Sequence, residues 1–173
     1  MAILMDNIIP SFIVGILIMM IFRLNAFMLE TQVDNRLVNE MQHFSELAVS
    51  IVHEELRTAN QLINLTDDSI EYDDINGFRV TMKREDQLLV ITKTDPVTLV
   101  EDITTYPTYL SDIEFKADQP YTNLDEVRFL RIKLMSESNP EAHARFNNST
   151  QTAKAFSEKQ VFLRNVVTSS FQL

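Results

Sequence analysis

The fold is decided by the stretch IIPSFIVGILIMMIF, residues 8–22, which carries no charged side chain. It is shorter than the roughly 20 residues that a helix needs to cross the hydrocarbon core of a bilayer. Its apolar character extends, however, upstream through Ala2–Met5 and downstream to Leu29, with Arg23 able to reach a headgroup through its long side chain. The sequence therefore predicts a membrane-inserting helix. The alternative is the buried core helix of a soluble protein.

The flanks of this run bear on its processing and orientation. No Lys or Arg precedes it and no small-x-small cleavage site follows it, so we do not expect a cleavable secretory signal. Arg23 and Arg36 follow the run, and this excess of positive charge leans weakly towards a cytoplasmic position for the C-terminal side.

An apolar stripe continues the helical pattern beyond the membrane segment. Its members recur every three or four residues, and we predict that they pack the helix on a sheet: Leu37, Met41, Phe44, Ala48 and Ile51. Pro and Gly are absent from residues 16–76, and stop signals follow Asn64. We therefore expect one helix from Ile8 to Asn64, about 85 Å long at about 1.5 Å per residue. Residues 1–30 would be its hydrophobic half, and residues 31–173 an α+β globular domain.

The remainder of the chain alternates apolar and polar residues as antiparallel strands do. Asn76-Gly77 is a strong hairpin-turn dipeptide, and it precedes the strand FRVTMK at 78–83. The other candidate strands lie at 69–72, 87–94, 98–103, 110–116, 127–134 and 155–167, with an exposed polar loop before the last one. We expect an α+β "lollipop", in which a long, partly transmembrane N-terminal helix packs on an antiparallel sheet of five or six strands.

Composition excludes several classes of function. The net charge of −10 argues against nucleic acid as a partner, because binding to phosphates needs a basic surface. The absence of Cys excludes disulfides, thiol nucleophiles and Cys-ligated zinc. With Gly only at positions 15 and 77, a Gly-rich phosphate-binding loop cannot form.

No pattern in the sequence points to catalysis. His43 and His53 are ten residues apart on the predicted helix, and His143 lies in the polar loop, so we interpret all three as surface histidines. The acidic stretch at 67–74 lacks the alternating order of a calcium loop, which makes a solvated turn the favoured interpretation and calcium the alternative. We predict no catalytic residue, no metal site and no cofactor. An enzyme with an unrecognised site is the minor alternative.

Short motifs near both ends, and one at the end of the predicted helix, resemble motifs of a known protein family. Ala2-Ile3-Leu4-Met5-Asp6 before a long apolar run resembles the start of mature type IV pilins and type II secretion pseudopilins, with Asp6, the fifth residue from Ala2, where those proteins usually have Glu. Glu55-Leu56-Arg57-Thr58-Ala59 is similar to the helix end of minor pilins and J-type pseudopilins. Leu163-Arg164-Asn165 is similar to the final strand of the same group.

This resemblance implies a structural subunit of a pilin-like filament or pseudopilus. Its partners would be the lipid bilayer before assembly, then copies of itself or related subunits, together with a platform for assembly. Asp6 would pair in the filament core with the N-terminal ammonium of an adjacent subunit. The implied location is the bacterial inner membrane with the domain outside the cytoplasm, and later an extracellular filament or periplasmic pseudopilus. The alternative is a single-span accessory subunit of a larger membrane complex.

Overall fold

The computed structural model describes residues 2–139 and 152–163, with the backbone alone for residues 2–9. Helix α1 spans Ala2–Leu56, and eight antiparallel strands follow it in the described part of the chain. The first sheet has its strands in chain order: β1 Ala59–Leu65, β2 Ser69–Asp74, β3 Arg79–Glu85, β4 Leu88–Thr94 and β5 Glu101–Pro107. The second sheet follows in the same way: β6 Leu110–Ala117, β7 Phe129–Glu137 and β8 Lys154–Phe162. A short 3-10 turn, Leu124–Glu126, precedes β7.

The second half of α1 packs against this antiparallel β-structure, which confirms the predicted α+β fold. Its middle lies on β7 and β8. Its last turns bury Ala48, Val52 and Leu56 completely, in one core with residues from both sheets. The second sheet contributes the face that the sequence predicts to be buried: Leu130, Ile132 and Leu134.

The helix ends earlier than Asn64, and that prediction is wrong. Continuing α1 would require the N–H of Ala59 to bond to the carbonyl of Glu55. That carbonyl instead accepts from the N–H of Thr58 at 3.0 Å, from Thr58 Oγ1 at 2.7 Å and from Tyr72 Oη at 3.1 Å. With its acceptor sites occupied, α1 stops at Leu56. The residues predicted to form the final helical turns form β1 instead, paired antiparallel with β2.

The turns and strands follow the sequence pattern more closely. The Asn76-Gly77 turn joins β2 to β3 as predicted, with Gly77 at a φ of +87° that favours glycine. The described part of the structure has eight strands and not the five or six expected, because all seven candidate segments form strands and β1 replaces the end of the helix. The strand predicted at 98–103 is found at 101–107, and the last predicted strand begins at Lys154. Its residues 164–167, most of the predicted loop and His143 lie outside the described residues.

Candidate functional site

The first half of α1 carries a continuous exposed apolar surface. Every side chain from Pro10 to Leu29 is exposed. This helix is long and apolar enough to cross a membrane, and no part of its most apolar stretch is buried. Soluble monomers rarely expose continuous apolar patches larger than a few hundred Å². The alternative of a buried core helix is therefore wrong for this chain.

Asp6 and Pro10 lie one turn apart in the helical backbone of this half. Proline has no N–H, so the usual bond from residue 10 to the carbonyl of residue 6 is missing and that carbonyl stays available. The side chain of Asp6 is outside the described part of the structure. Its pairing with a terminal ammonium therefore stays a prediction.

The predicted packing stripe lies between the helix and the sheets. Met41 is buried, and together with the half-buried Leu37 and Phe44 it packs against Ala153 and Ala155 at the start of β8. The ring of Phe44 also lies 5.0 Å from that of Tyr109, between centroids. The two remaining members, Ala48 and Ile51, reach the main core, Ala48 fully buried and Ile51 half-buried.

Sequence reasoning missed three buried residues of the same helix segment: Ser45, Val49 and Val52. The hydroxyl of Ser45 donates to the carbonyl of Gln42 at 3.0 Å, which allows its burial. Val49 and Val52 lie beside the stripe and widen the buried face, because the last turns of α1 are enclosed by two sheets and not by one. The apolar side chains of Val49 and Val52 were the feature of the sequence that could have identified them as buried.

Glu55 connects the last turn of α1 to the first sheet. Its carboxylate forms an ion pair with Lys93 of β4, with 2.8 Å between Oε2 and Nζ. Its backbone carbonyl accepts the bond from Tyr72 of β2. Burial raises the pKa of the Tyr72 hydroxyl well above its ordinary value, and the negative charge of Glu55 raises it further. The neutral hydroxyl is therefore held as a donor to the helix end.

A groove of about 890 Å³ lies where the middle of α1 meets the second sheet. Polar and apolar side chains line it together, and Arg36 and Glu40 on its helix side pair with each other at 2.9 Å. His43 is exposed and lines this groove, whereas His53 is half-buried with Nδ1 at 3.4 Å from Glu54 Oε1. Ten helical residues separate the two histidines by about 15 Å, too far to share a ligand.

The acidic stretch at 67–74 bonds mostly to its own neighbours. Asp74 accepts hydrogen bonds from the N–H groups of Asn76 and Phe78, and Asp73 pairs with Arg79 at 3.1 Å. Within residues 2–139 and 152–163, no three His, Asp or Glu side chains are grouped as a metal site requires.

The candidate site as a whole is an exposed apolar helix fixed to a folded domain. Such a surface is suited to association with lipid or with other apolar helices.

Comparison of the chain with known protein families, with curated protein sequences and with solved structures gives no match in any of the three.

Proposed function

We propose that the chain is a structural subunit of a pilin-like filament or pseudopilus. One observation supports this most: a single unbroken helix is apolar and exposed on all sides in its first half and anchored in a folded core in its second half. Lipid would cover the first half before assembly. In the filament, the same residues would pack against copies of the chain or related subunits.

The physical basis is the similarity of the two environments. Lipid tails and neighbouring apolar helices bury the side chains of residues 10–29 about equally well, so a subunit can move from one to the other without exposing them to water. An assembly platform in the membrane would drive the transfer. The domain would lie outside the bacterial cytoplasm, and the product would be an extracellular filament or a periplasmic pseudopilus.

Asp6 gives this proposal its sharpest test. A charged carboxylate costs about 2.5–3.5 kcal/mol at the centre of a bilayer, and the apolar core of a filament would be a similarly dry environment, so Asp6 would need a partner there. The N-terminal ammonium of an adjacent subunit would supply a charge-assisted hydrogen bond. Pro10 supports this pairing because it leaves the first turn of the helix open near the carboxylate.

The experiment compares Asp6→Ala, Asp6→Glu and Asn7→Ala in the full chain. Asp6→Ala should insert into membranes at least as well as the wild type, because a charge is removed, but its yield of filaments should fall strongly. Asp6→Glu and the neighbouring control Asn7→Ala should assemble normally. Insertion is measured by resistance to alkaline extraction, and assembly by sedimentation and electron microscopy.

Assembly of Asp6→Ala at the wild-type level would refute the pairing. It would favour the alternative, a single-span accessory subunit of a larger membrane complex, which the membrane-length helix also allows. Particle images separate the two functions directly. A filament shows many copies at a constant rise, whereas an accessory subunit has a fixed stoichiometry in a discrete complex.

A further inference from the structure

We infer that β5, the outer strand of the five-stranded sheet, pairs with β5 of a second copy of the chain. The pairing is antiparallel about a two-fold axis that passes beside Thr104. It joins two sheets edge to edge, and it is separate from the contacts between apolar helices proposed above.

The outer side of β5 is open. Along its inner side β5 pairs with β4 over its whole length, from Glu101 opposite Thr94 to Pro107 opposite Leu88. Along its outer side no strand lies beside it among residues 2–139 and 152–163. Alternate backbone N–H and C=O groups of an edge strand point outwards, so they form a template for another strand.

The side chains of β5 do not block this template. Six of its seven residues are exposed, and Tyr106 is half-buried against the main core. Proteins commonly protect such edges with lysine, with a central proline or with a bulge. The sequence EDITTYP has no lysine or arginine, its two acidic residues stand at the first two positions and its proline at the last, and the pairing with β4 is regular throughout.

The sequence of β5 is complementary to itself in the antiparallel direction. Full overlap of two β5 strands places Thr104 opposite its counterpart and Ile103 opposite Thr105, which are favourable pairs of β-branched side chains. Asp102 and Glu101 then face Tyr106 and Pro107 of the other strand. No two acidic residues are opposed. A parallel pair would place Glu101 and Asp102 each against its own copy, which is destabilising.

The turn that precedes β5 adds an apolar contact to this edge. The carboxylate of Asp95 accepts bonds from the N–H of Val97 at 2.8 Å and from the hydroxyl of Thr98 at 2.8 Å, which fixes the turn. The fixed turn exposes Val97 by 88% and Leu99 by 74%. In the same register Leu99 extends beyond the end of the other β5, towards Tyr109 of the second copy, which is 40% exposed.

The size of this contact predicts where it forms. Two seven-residue edges bury less than the roughly 1,000 Å² that a stable dimer needs in solution. Two copies anchored in one membrane have a much higher effective concentration, which populates a weak contact when the two-fold axis runs along the membrane normal, so that both helices enter the bilayer from the same side. This step depends on the membrane anchoring of the proposed function and not on filament formation.

The chain contains no cysteine, so a single introduced cysteine can form a protein disulfide only with another molecule. Thr104→Cys is introduced into the full chain, which is reconstituted in lipid vesicles at a low protein-to-lipid ratio and oxidised. Directly opposed residues of an antiparallel pair have Cα atoms about 4.5–5.5 Å apart, within the range of a disulfide. We expect a several-fold excess of disulfide dimer over the control Gln160→Cys, an exposed position on β8.

Charge variants in the Thr104→Cys background test the register. Ile103→Lys places two lysines diagonally across the pair and should reduce the dimer several-fold. Adding Thr105→Glu places a glutamate directly opposite each lysine, and the dimer should return. Both positions are exposed, so the variants should fold, and circular dichroism checks this.

Three results would overturn the inference: no excess of dimer over Gln160→Cys, no loss with Ile103→Lys, or no recovery with the added Thr105→Glu. Cross-linking of Thr104→Cys in cell membranes to a different polypeptide, without homodimer, would also overturn it in favour of a foreign strand. These outcomes are distinct from failure of the filament proposal. Normal assembly of Asp6→Ala would leave the disulfide dimer at β5 unaffected.

Discussion

The hydroxyl of Tyr72 donates a hydrogen bond to the backbone carbonyl of Glu55 across 3.1 Å, and this bond ties the second strand to the last turn of the helix. The two residues are 17 positions apart in the sequence. The tyrosine side chain is fully buried, so the bond forms inside the core, where an unsatisfied carbonyl is costly.

Tyr72→Phe should lower the free energy of unfolding by about 1–2 kcal/mol, because a buried hydrogen bond is lost while the ring still fills its site. Urea unfolding of residues 31–173 measures the change. Tyr121→Phe is the matched control, since Tyr121 is 40% exposed and should tolerate the change. Equal losses in the two variants would contradict the structural role of the Tyr72 hydroxyl.

The raised pKa of Tyr72 predicts that the protein loses stability at alkaline pH. Burial raises the pKa of Tyr72 above its ordinary value of 10.0, so above pH 10 the unfolded chain releases this proton more readily than the folded chain. The stability that comes from keeping Tyr72 protonated in the folded chain is fully present below pH 10, and it decreases as the pH rises beyond 10. Stability measured from pH 8 to pH 11 should therefore fall less steeply for Tyr72→Phe than for the wild type. Equal slopes of stability against pH in the wild type and in Tyr72→Phe would show that the pKa of Tyr72 is not raised.

Two leucines of the same helix provide a matched test of packing. Leu56 is fully buried, whereas Leu47 is 44% exposed. Leu56→Ala should cost about 2–5 kcal/mol of stability through lost burial and the cavity left behind. Leu47→Ala should cost about 0.5 kcal/mol or less. Thermal or urea unfolding of both variants measures the difference, and similar costs would mean that the helix packs through another face.

Removal of the apolar helix half should give a soluble protein. Residues 31–173 retain the packing stripe and every strand, while the exposed apolar surface of residues 10–29 is absent. We expect a folded monomer at micromolar concentration, because the β5 edge is too small to hold two copies together in solution. Circular dichroism and analytical ultracentrifugation test this. Loss of the β-sheet signal, or a stable oligomer, would show that the domain depends on the removed half.

The turn before β5 should loosen in acid. Bonds from the Val97 N–H and the Thr98 hydroxyl lower the pKa of Asp95 below its ordinary value of 3.8. The stabilisation is therefore present at neutral pH and is lost as the pH falls through this lowered pKa. The protection of the Val97 and Thr98 amides against exchange, relative to an unstructured peptide at the same pH, should decrease as the pH falls through this lowered pKa, and it should be low at every pH in Asp95→Ala. Asp125→Ala, at another exposed turn, should leave these two amides unchanged.

Local patterns in the sequence predict much of this fold. Helical periodicity marks Met41 and Ala48, and alternation marks the strand that contains Leu130, Ile132 and Leu134. The Asn76-Gly77 dipeptide predicts its hairpin because few other residues adopt the required positive φ. Each of these features depends on residues that are close together in the chain.

Features that depend on distant contacts were not predictable in the same way. The helix stops at Leu56 because Thr58 and Tyr72 occupy the carbonyl of Glu55, and Tyr72 comes from another strand. The division of the strands into two sheets is likewise a result of packing, and so is the burial of Val52 between them. In the candidate site, the sequence predicts the apolar helix and the stripe, whereas the open edge at β5 becomes visible only with the order of the strands.

Helix α1 continues from the apolar segment into the folded domain without a break, over about 80 Å at about 1.5 Å per residue. Beyond Pro10, a rod of this kind transmits tension and torque, because its backbone hydrogen bonds lie along its axis and no further proline interrupts them up to Leu56. A pull on residues 10–29 is therefore delivered to the opposite end of the rod. There the chain continues through Arg57 and Thr58 into β1, and the last helical turns share a core with both sheets. The contacts of Glu55 with Tyr72 and Lys93 tie the same helix end to β2 and β4, so the load is spread over several strands of the five-stranded sheet.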